Sequence, residues 1–411
     1  MSRRMLGIAA SALVAVSLLA GCAGSSNLTA TELTAGTSPA SSGSLEVGEG
    51  SDTYDFALGL LRESADEKNT LVSPLSVLSA LAMAESGASG ETLAQMEQAA
   101  GMGADELADM LQAYGALAGD GPLRTANSVW LRDSDGLSVE DDFLVTCGER
   151  LGAQVFSAPF DDSTVADVNA WVSEKTDEMI PQMLSQISDS AQVLLVNALA
   201  FDGGWEDPFD SALVSPDTFT CEDGTEQDVT MMHSAEDSYL ESELATGFVK
   251  PYEGYDYAFV GLLPAEGVSV EELLASLDGD ALEELLTPVA GAAAEIGLPK
   301  FTSSYEAELT DALRSLGMTD AFDATRADFS RMGTSEQGPL YVGSVLHKTF
   351  VDVNEEGTRA AAATTVSMDG ASAPGGPVEY HEVILDRPFV YLIVDLRCDL
   401  PVFIGTYMGT E

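Results

Sequence analysis

The spacing of apolar residues predicts helices in the first part of the chain and strands in the rest. Residues 73–101 begin with Ser-Pro, continue with apolar residues at helical spacing and reach a glycine-rich break. Residues 162–184 form another amphipathic pattern, which predicts a helix that ends near Pro181. The apolar run 191–201 is typical of a buried central strand, and residues 387–408 predict two strands around a turn.

The first residues follow a different pattern. Two arginines precede a short apolar run that ends in Leu-Ala-Gly-Cys, with Cys22 last. A charged start, a short apolar stretch and a small-residue site indicate a secretory signal, and the run is too short to predict a membrane span. The last four residues resemble a bacterial lipobox, whose cysteine is lipidated and becomes the mature N-terminus. Residues 1–21 are therefore predicted to be a lipoprotein signal peptide, with a plain signal peptide as the alternative.

A polar spacer separates this signal from the rest of the chain. Residues 23–50 are rich in Ser, Thr, Ala and Gly without an apolar period, which predicts disorder and a root-mean-square span of about 30 Å. Residues 22–50 are thus predicted to be a lipid-anchored flexible linker at the extracellular face of the membrane, with a released form possible. From 51 to 411 the sequence contains neither linker nor repeat, which predicts one α+β domain.

Charge and composition exclude several functions. The 411 residues include 68 acidic and 17 basic side chains, a net charge of −51, and 45% are hydrophobic, enough for a large core. Removing residues 1–21, which hold two arginines and no acid, makes the net charge −53. This excess argues against nucleic-acid binding and against attraction to anionic lipids. It favours a soluble secreted surface or the capture of cationic partners.

The sequence contains no motif for catalysis or for a cofactor. It has no Gly-x-Ser-x-Gly, no Ser-x-x-Lys and no phosphate-binding glycine loop. Its histidines are far apart, and Cys147, Cys221 and Cys398 do not have metal-ligand spacing. We therefore predict no enzyme activity, no cofactor and no metal. The three cysteines allow one disulfide and a free thiol, or three free thiols.

Several stretches, in order, resemble one protein family, the serpins, over nearly all of residues 51–411. They are NTLVSPLSVLSALAMAESGASGETLAQM (69–96), LVNALAFDGGWEDPFD (195–210), LTDALRSLGMTDAFDATRADFSRM (309–332), LHKTFVDVNEEGTRAAAATT (346–365), DRPFVYLIVD and PVFIGTYM. The resemblance implies an α+β serpin fold, in which helices pack on three β-sheets and a reactive-centre loop is exposed, here at about 355–380. It also implies suicide inhibition of a serine protease. The protease cleaves the loop, is trapped as an acyl-enzyme, and is dragged across the molecule as the loop inserts into the main sheet.

The loop sequence is compatible with insertion as a strand. Every second residue from Thr358 to Met368 is small or apolar, whereas the charged Arg359 and Asp369 fall on the other face. An unpaired charge on the inward face would be costly to bury. Arg359 departs from the more usual acid, but it is on the outward face. This separation of small or apolar residues from charged residues on the two faces therefore favours an inhibitory protein.

The resemblance also assigns roles to individual residues. The hinge consists of Glu355, Glu356, Gly357, Thr358, Ala360, Ala361, Ala362 and Ala363. The shutter, a polar cluster beneath strands that must part, consists of Ser73, Ser76, Asn197 and His347. Trp205 and Glu355 match the breach, where the loop first enters the sheet. Gly343 departs from the serine common at its position, which puts the local hydrogen bonding in doubt.

The position of the cleaved bond depends on how the loop is counted. The family's usual count forward from Gly357 gives Ala371–Ser372, whereas a count back from Arg387 gives a position near Pro377. The small Ala371 suits an elastase-like protease with a shallow pocket. Met368–Asp369 is a weaker candidate.

Two other functions are compatible with parts of the sequence. One is a non-inhibitory serpin fold used for binding or adhesion at the cell surface, which the intact hinge argues against. The other is a solute-binding lipoprotein, which the signal and the size alone would favour.

Overall fold

A computed structural model describes residues 28–37, 50–65, 68–119, 121–134, 136–188, 190–336, 338–358 and 378–410. Its α-helices are α1 Gly50–Ser64, α2 Pro74–Gly87, α3 Gly90–Ala100, α4 Ala104–Ala118, α5 Asp141–Val145, α6 Asp162–Lys175, α7 Val270–Ser276, α8 Gly279–Leu285 and α9 Thr310–Ser315. Within these ranges, no helix is both long and apolar enough to cross a membrane.

Among the described residues, the strands form three large sheets and one small one. The main sheet has the order β1 (Thr31–Glu32), β5 (Gln154–Ala158), β3 (Leu123–Arg132), β6 (Val193–Phe201), β16 (Val342–Val353), β17 (Gly357–Thr358) and β7 (Gly203–Gly204), and β14 (Phe301–Glu308) pairs with β16. The second sheet has the order β10 (Leu240–Glu241), β11 (Ala245–Pro251), β12 (Tyr257–Pro264), β19 (Phe389–Asp395), β20 (Leu400–Tyr407) and β2 (Thr70–Val72). The third has the order β18 (Glu379–Ile384), β13 (Ala292–Pro299), β9 (Glu226–Glu236) and β8 (Val214–Thr220), and β15 (Gly333–Thr334) pairs with β4 (Ser138–Val139). The predicted α+β class is confirmed, and the described residues add a two-stranded sheet to the three that were expected.

The two cores lie on opposite faces of the main sheet. Every residue of β6 is buried, as its unbroken apolar run predicted. Leu195 and Leu199 contribute to the larger core, which α2 shares with the second sheet, whereas Leu194 and Val196 contribute to a smaller core beneath α6. The predicted helix of 73–101 and its glycine-rich break are present: α2 begins after Ser73, and a second helix, α3, follows the break.

The prediction for 162–184 was wrong at its C-terminal end. Helix α6 ends at Lys175, and Asp177 and Glu178 adopt left-handed φ angles of 48° and 61°. The Oγ1 of Thr176 accepts a hydrogen bond from the N–H of Ile180 (3.2 Å), so a side chain replaces a helical carbonyl as acceptor. Apolar residues continue beyond the helix because the following segment packs on the same sheet.

The predicted disorder of residues 23–50 was wrong for residues 28–37. These ten residues pack against the main sheet, where β1 pairs antiparallel with β5. Their composition offers few apolar residues, but the sheet edge and α6 supply hydrogen-bond partners that a local pattern does not reveal. The linker and anchor predictions for the rest of 22–50 fall outside the described residues.

The pairing of β6 with β16 is parallel and runs from Val342↔Val193 to Phe350↔Ala200. Both strands have antiparallel partners on their other sides, β3 for β6 and β14 for β16. The register shifts by a bulge between Val342 and Ser344. A Cβ atom on Gly343 would lie 2.9 Å from the Cβ of Ala191, so glycine allows this strand to approach the neighbouring turn closely.

Candidate functional site

The site lies where β6 and β16 diverge. Beyond their last pair, β17 occupies the gap, pairing antiparallel with β16 through Val353↔Thr358 and with β7 through Gly357↔Gly204 and Thr358↔Gly203. The start of the predicted reactive loop is therefore already a short strand between the two strands that would have to part. We call this end of the main sheet the loop end, and the opposite end, at Val193, the far end.

Thr358 points into the larger core. Its side chain is fully buried, and its Oγ1 lies 2.6 Å from the hydroxyl of Tyr252. The inward orientation agrees with the alternation in the loop sequence, which put Thr358 on the small, apolar face. Burial raises the pKa of Tyr252, so its hydroxyl keeps its proton for this hydrogen bond.

Trp205 forms the platform beneath the hinge. Its ring stacks on Tyr252 with centroids 4.5 Å apart, and its Nε1 donates to the carbonyl of Asn354 (2.9 Å). The backbone N–H of Trp205 donates to the carbonyl of Glu356 (2.9 Å). One residue thus supports the turn from β16 to β17 through both its side chain and its backbone. The structure thus brings Trp205 together with the turn that contains Glu355, Glu356 and Gly357, the residues predicted for the breach and the hinge.

Two lysines neutralise acids around this platform. Lys300 donates to Glu355 at 2.6 Å, and this hydrogen bond lowers the pKa of the half-buried carboxyl. Lys250 is buried, pairs with Glu236 at 2.7 Å and lies 4.3 Å from the ring centroid of Phe209. Neither lysine was predicted from the sequence. Nothing in the sequence around Lys300 indicates that its partner lies 55 residues away.

A polar cluster lies beneath the middle of the β6–β16 pairing. The backbone N–H of Ser73 donates to Nε2 of His347 (3.1 Å), which places the imidazole proton on Nδ1, 3.5 Å from the Oγ of Ser76. Ser73 also caps α2, since its Oγ accepts from the N–H of Ser76. All three side chains are buried. The predicted shutter residues Ser73, Ser76 and His347 are therefore in contact.

Asn197 completes the predicted set through the backbone register. It pairs with His347 across the parallel pairing, but its side-chain Nδ2 donates to Oδ1 of Asn127 on β3. The Oδ1 of Asn197 is buried and has no hydrogen-bond partner among the described residues. Asn127 was not identified from the sequence, although the pattern Ala-Asn-Ser within an apolar strand was a visible signal.

A segment after α6 covers the outer face of this pairing. Lys348 on β16 donates to the carbonyl of Gln182 (2.8 Å), and the hydroxyl of Tyr341 donates to the carbonyl of Ser190. A strand that entered between β6 and β16 would break or stretch these bonds, because they join the two sides of the opening. If β6 and β16 part, the segment after α6 therefore has to stay with one of these strands and separate from the other.

Several predicted residues lie outside the described residues. They are Cys22, Ala360, Ala361, Ala362, Ala363, Ala371 and Ser372. Among the described residues, Cys147, Cys221 and Cys398 are free thiols, and Cys147 and Cys398 are buried.

Comparison with known proteins identifies relatives over almost the whole chain. The family model described as "Serpin (serine protease inhibitor)" matches residues 51–409. A protein named "Serine protease inhibitor" from Cyanea capillata is 32% identical over 355 residues, which cover 82% of this chain and 92% of that protein. The structure of the thermophilic serpin tengpin in its native state has a TM-score of 0.85 and 39% identity, covering 93% of this chain and all of the other. Its latent state has a TM-score of 0.77.

The buried imidazole of His347 predicts a pH-dependent stability. Burial lowers its pKa to about 3, whereas an unfolded histidine has a pKa of about 6.5. Between these pH values only the unfolded chain binds the proton. The contribution of His347 to the free energy of unfolding is therefore full above pH 6.5 and is lost as the pH falls. The destabilisation caused by His347→Gln should therefore shrink by about 1 kcal/mol between pH 6.5 and 5.5, measured from urea unfolding of the uncleaved protein.

Comparing variant with wild type removes other titrations from this measurement. Burial raises the pKa of Glu85 to about 8, so the contribution of this group to stability grows as the pH falls, opposite to that of His347. Glu85 is present in both proteins, and its contribution therefore cancels in the comparison. Ser76→Ala, which removes a neighbour of the imidazole but no titrating group, should destabilise equally at both pH values. An equal effect of His347→Gln at both values would show that the folded protein binds the proton after all.

Proposed function

This chain belongs to the serpin family, a family of serine protease inhibitors, and we propose that it inhibits by loop insertion. In this mechanism the protease cleaves the reactive loop, stays attached as an acyl-enzyme and is carried to the far end of the main sheet. The protein itself turns over no substrate.

The position of β17 is the observation that supports this proposal most. Continuing the register Val353↔Thr358 along β16 places Ala360 opposite Val351 and Ala362 opposite Thr349, both buried on the core side. Directly opposed residues share a face of the sheet. The register thus puts the small, apolar residues of the loop inward, which agrees with the face chosen independently from the sequence.

Insertion also has a thermodynamic rationale. The strand would be antiparallel to both neighbours, as β17 already is, and would replace the parallel pairing of β6 with β16. Parallel pairing is slightly less stable per residue, and the new strand adds a complete second set of ladder hydrogen bonds. The native arrangement is then the less stable of the two, held until cleavage frees the loop.

The same register supports cleavage at Ala371–Ser372. Residues 358–369 would cover β16 from Val353 to Val342, its whole length. A bond after Ala371 leaves two residues between the strand and the trapped protease, which holds it against the far end. A bond near Pro377 leaves about eight residues and a loose attachment.

An elastase-like serine protease is the proposed target. Ala371 is small, and residues 360–380 contain neither Lys nor Arg for a trypsin-like enzyme. The net charge of −51 favours encounter with a basic protease and predicts slower association as salt is added. A non-inhibitory binding protein is the alternative, and failure to trap any protease would favour it.

We propose in addition that the mature protein is anchored at the extracellular face of the cell membrane through a lipid on Cys22. The lipobox-like sequence supports this assignment. No nucleic acid and no cofactor take part.

The inward face of the loop is tested by paired substitutions. Ala362→Arg should turn the inhibitor into a substrate, because insertion would bury an unpaired charge near Thr349. Ala361→Arg is the matched control on the outward face, where the chain already has Arg359. The ratio of inhibitor consumed per protease inactivated should rise at least tenfold for Ala362→Arg and stay near the wild-type value for Ala361→Arg. The opposite order would reverse the assigned faces.

The proposed bond is tested by mass spectrometry of the peptide released on complex formation. An elastase-like protease should give a complex that survives denaturing electrophoresis, and the released peptide should begin at Ser372. Ala371→Arg should shift inhibition toward trypsin-like enzymes. A peptide that begins beyond Pro374 would reject this bond without rejecting the inhibitor.

The anchor is tested in cells. Cys22→Ser should move the protein from the membrane fraction to the soluble fraction, because an attached lipid is the proposed source of membrane binding. Mass spectrometry should show the lipid on the mature wild-type N-terminus. If the variant remains in the membrane fraction, the lipoprotein assignment is wrong.

A further inference from the structure

Residues 28–37 form a docked N-terminal segment on the outer edge of the main sheet. Thr31 pairs with Ser157 and Glu32 with Phe156, and the N–H of Leu33 donates to the carbonyl of Val155 (2.7 Å). The segment thereby covers an edge whose backbone groups would otherwise face solvent or another chain.

The first part of this segment is fastened to α6. One carboxylate oxygen of Asp167 accepts from the N–H of Thr29 (2.9 Å), from its hydroxyl (2.7 Å) and from the N–H of Ala30 (2.7 Å). Hydrogen bonds to an ionised acceptor are stronger than those between neutral groups, and Asp167 is only 6% exposed. Leu28 and Ala30 pack against the core beneath α6. This contact joins the segment to both the sheet and the helix above it.

The second part is fastened near Gly148. Thr34 is buried, and its Oγ1 accepts from the N–H of Val155 (3.1 Å). The hydroxyl of Thr37 then donates to the carbonyl of Thr34 (2.8 Å). A Cβ on Gly148 would lie 2.0 Å from the Oγ1 of Thr37, so only glycine permits this approach.

The register gives the direction in which the chain leaves the sheet. Strand β5 ends at Ala158, beside Arg132 and hence at the far end. Because β1 is antiparallel to β5, the chain before Thr31 also lies at the far end. Thr358 is at the loop end, and the eight residue steps of β3 from Leu123 to Leu131, between the two ends, correspond to about 27 Å.

We propose that the docked segment fixes the orientation of the domain at the membrane, with the far end toward the bilayer and the reactive loop away from it. This rests on the lipid anchor proposed for Cys22. Five residues lie between Cys22 and Leu28, so the two are six Cα–Cα steps apart and span at most about 21 Å. The anchor would therefore hold one defined end of the domain close to the lipid, in place of a 28-residue tether that lets it rotate freely.

The orientation can be measured without relying on natural lipidation. The mature chain, residues 22–411 with Cys221→Ser, is coupled through Cys22 to a maleimide lipid in phosphatidylcholine vesicles, where the buried Cys147 and Cys398 are protected. A donor fluorophore is attached through an azido amino acid at Asp133 or at Tyr255, and the vesicles carry an acceptor lipid. Asp133 lies beside Ala158 at the far end, and Tyr255 is exposed near Gly204 at the loop end. The donor at Asp133 should be quenched several-fold more strongly than the donor at Tyr255.

Variants that release the segment should reduce this difference by more than half. Asp167→Ala removes the acceptor of three hydrogen bonds, and Gly148→Ala places a methyl group against Thr37. Asp162→Ala, an exposed acid of the same helix, and Gly115→Ala, a helical glycine with open space around it, are the controls and should preserve the difference. Hydrogen exchange should become faster at Leu33 in the first two variants while the amides of β6 stay protected, which shows that the domain remains folded.

The two ways in which the proposal can fail are distinct. Equal quenching of both donors on coupled vesicles would overturn the fixed orientation, whatever the natural protein carries at Cys22. Absence of a lipid from the natural N-terminus would instead remove the anchor and the orientation at the membrane with it, without changing the vesicle result.

Discussion

The parallel pairing of β6 with β16 is the contact on which the rest of the molecule depends. These strands are neighbours in the structure, yet each has an antiparallel partner on its other side. A third strand that enters between them through a short turn from the end of β16 runs antiparallel to its neighbours, and β17 is antiparallel to the strands on both of its edges. At the loop end, β17 thus already has the strand pairing that the proposed mechanism would extend along the whole of β16.

The polar groups around this pairing explain how it is both held and able to part. Ser73, Ser76 and His347 exchange hydrogen bonds across the helix–sheet boundary, so their polar atoms are buried at little cost. The hydrogen bonding of Asn197 is less complete, since its side-chain oxygen Oδ1 has no partner among the described residues. Continuing the register from Thr358 would place Thr364 opposite His347, which puts a hydroxyl at this level of the sheet. In the closed state, the Oδ1 of Asn197 therefore lacks a hydrogen-bond partner at the level of the sheet where the inserted strand would bring a hydroxyl.

Sequence patterns predicted the features that depend on local order along the chain. The period-2 alternation gave the inward face of Thr358, and the apolar run gave the buried strand β6. Features that depend on distant partners were not predictable in this way. The docking of residues 28–37 requires Asp167 and Val155, more than a hundred residues away, and the spacer itself has no apolar period. Likewise, the apolar pattern after Lys175 continues because the chain stays against the sheet, although the helix has ended.

The proposed loop insertion and the proposed membrane anchor would meet at the same end of the domain. The acyl-linked protease would be carried to the far end, where Leu28 leaves the sheet toward Cys22. At most about 21 Å of chain separates that end from the lipid, whereas a compact domain of about 200 residues is about 40 Å across. With the docked segment in place and the far end toward the bilayer, the proposed complex would have little room there, so the domain would have to tilt or residues 28–37 would have to leave the edge of β5. Asp167 ties that segment to α6, and the chain that follows α6 contacts Lys348 on β16, so the docked segment and the cover of the β6–β16 pairing are joined through the same helix.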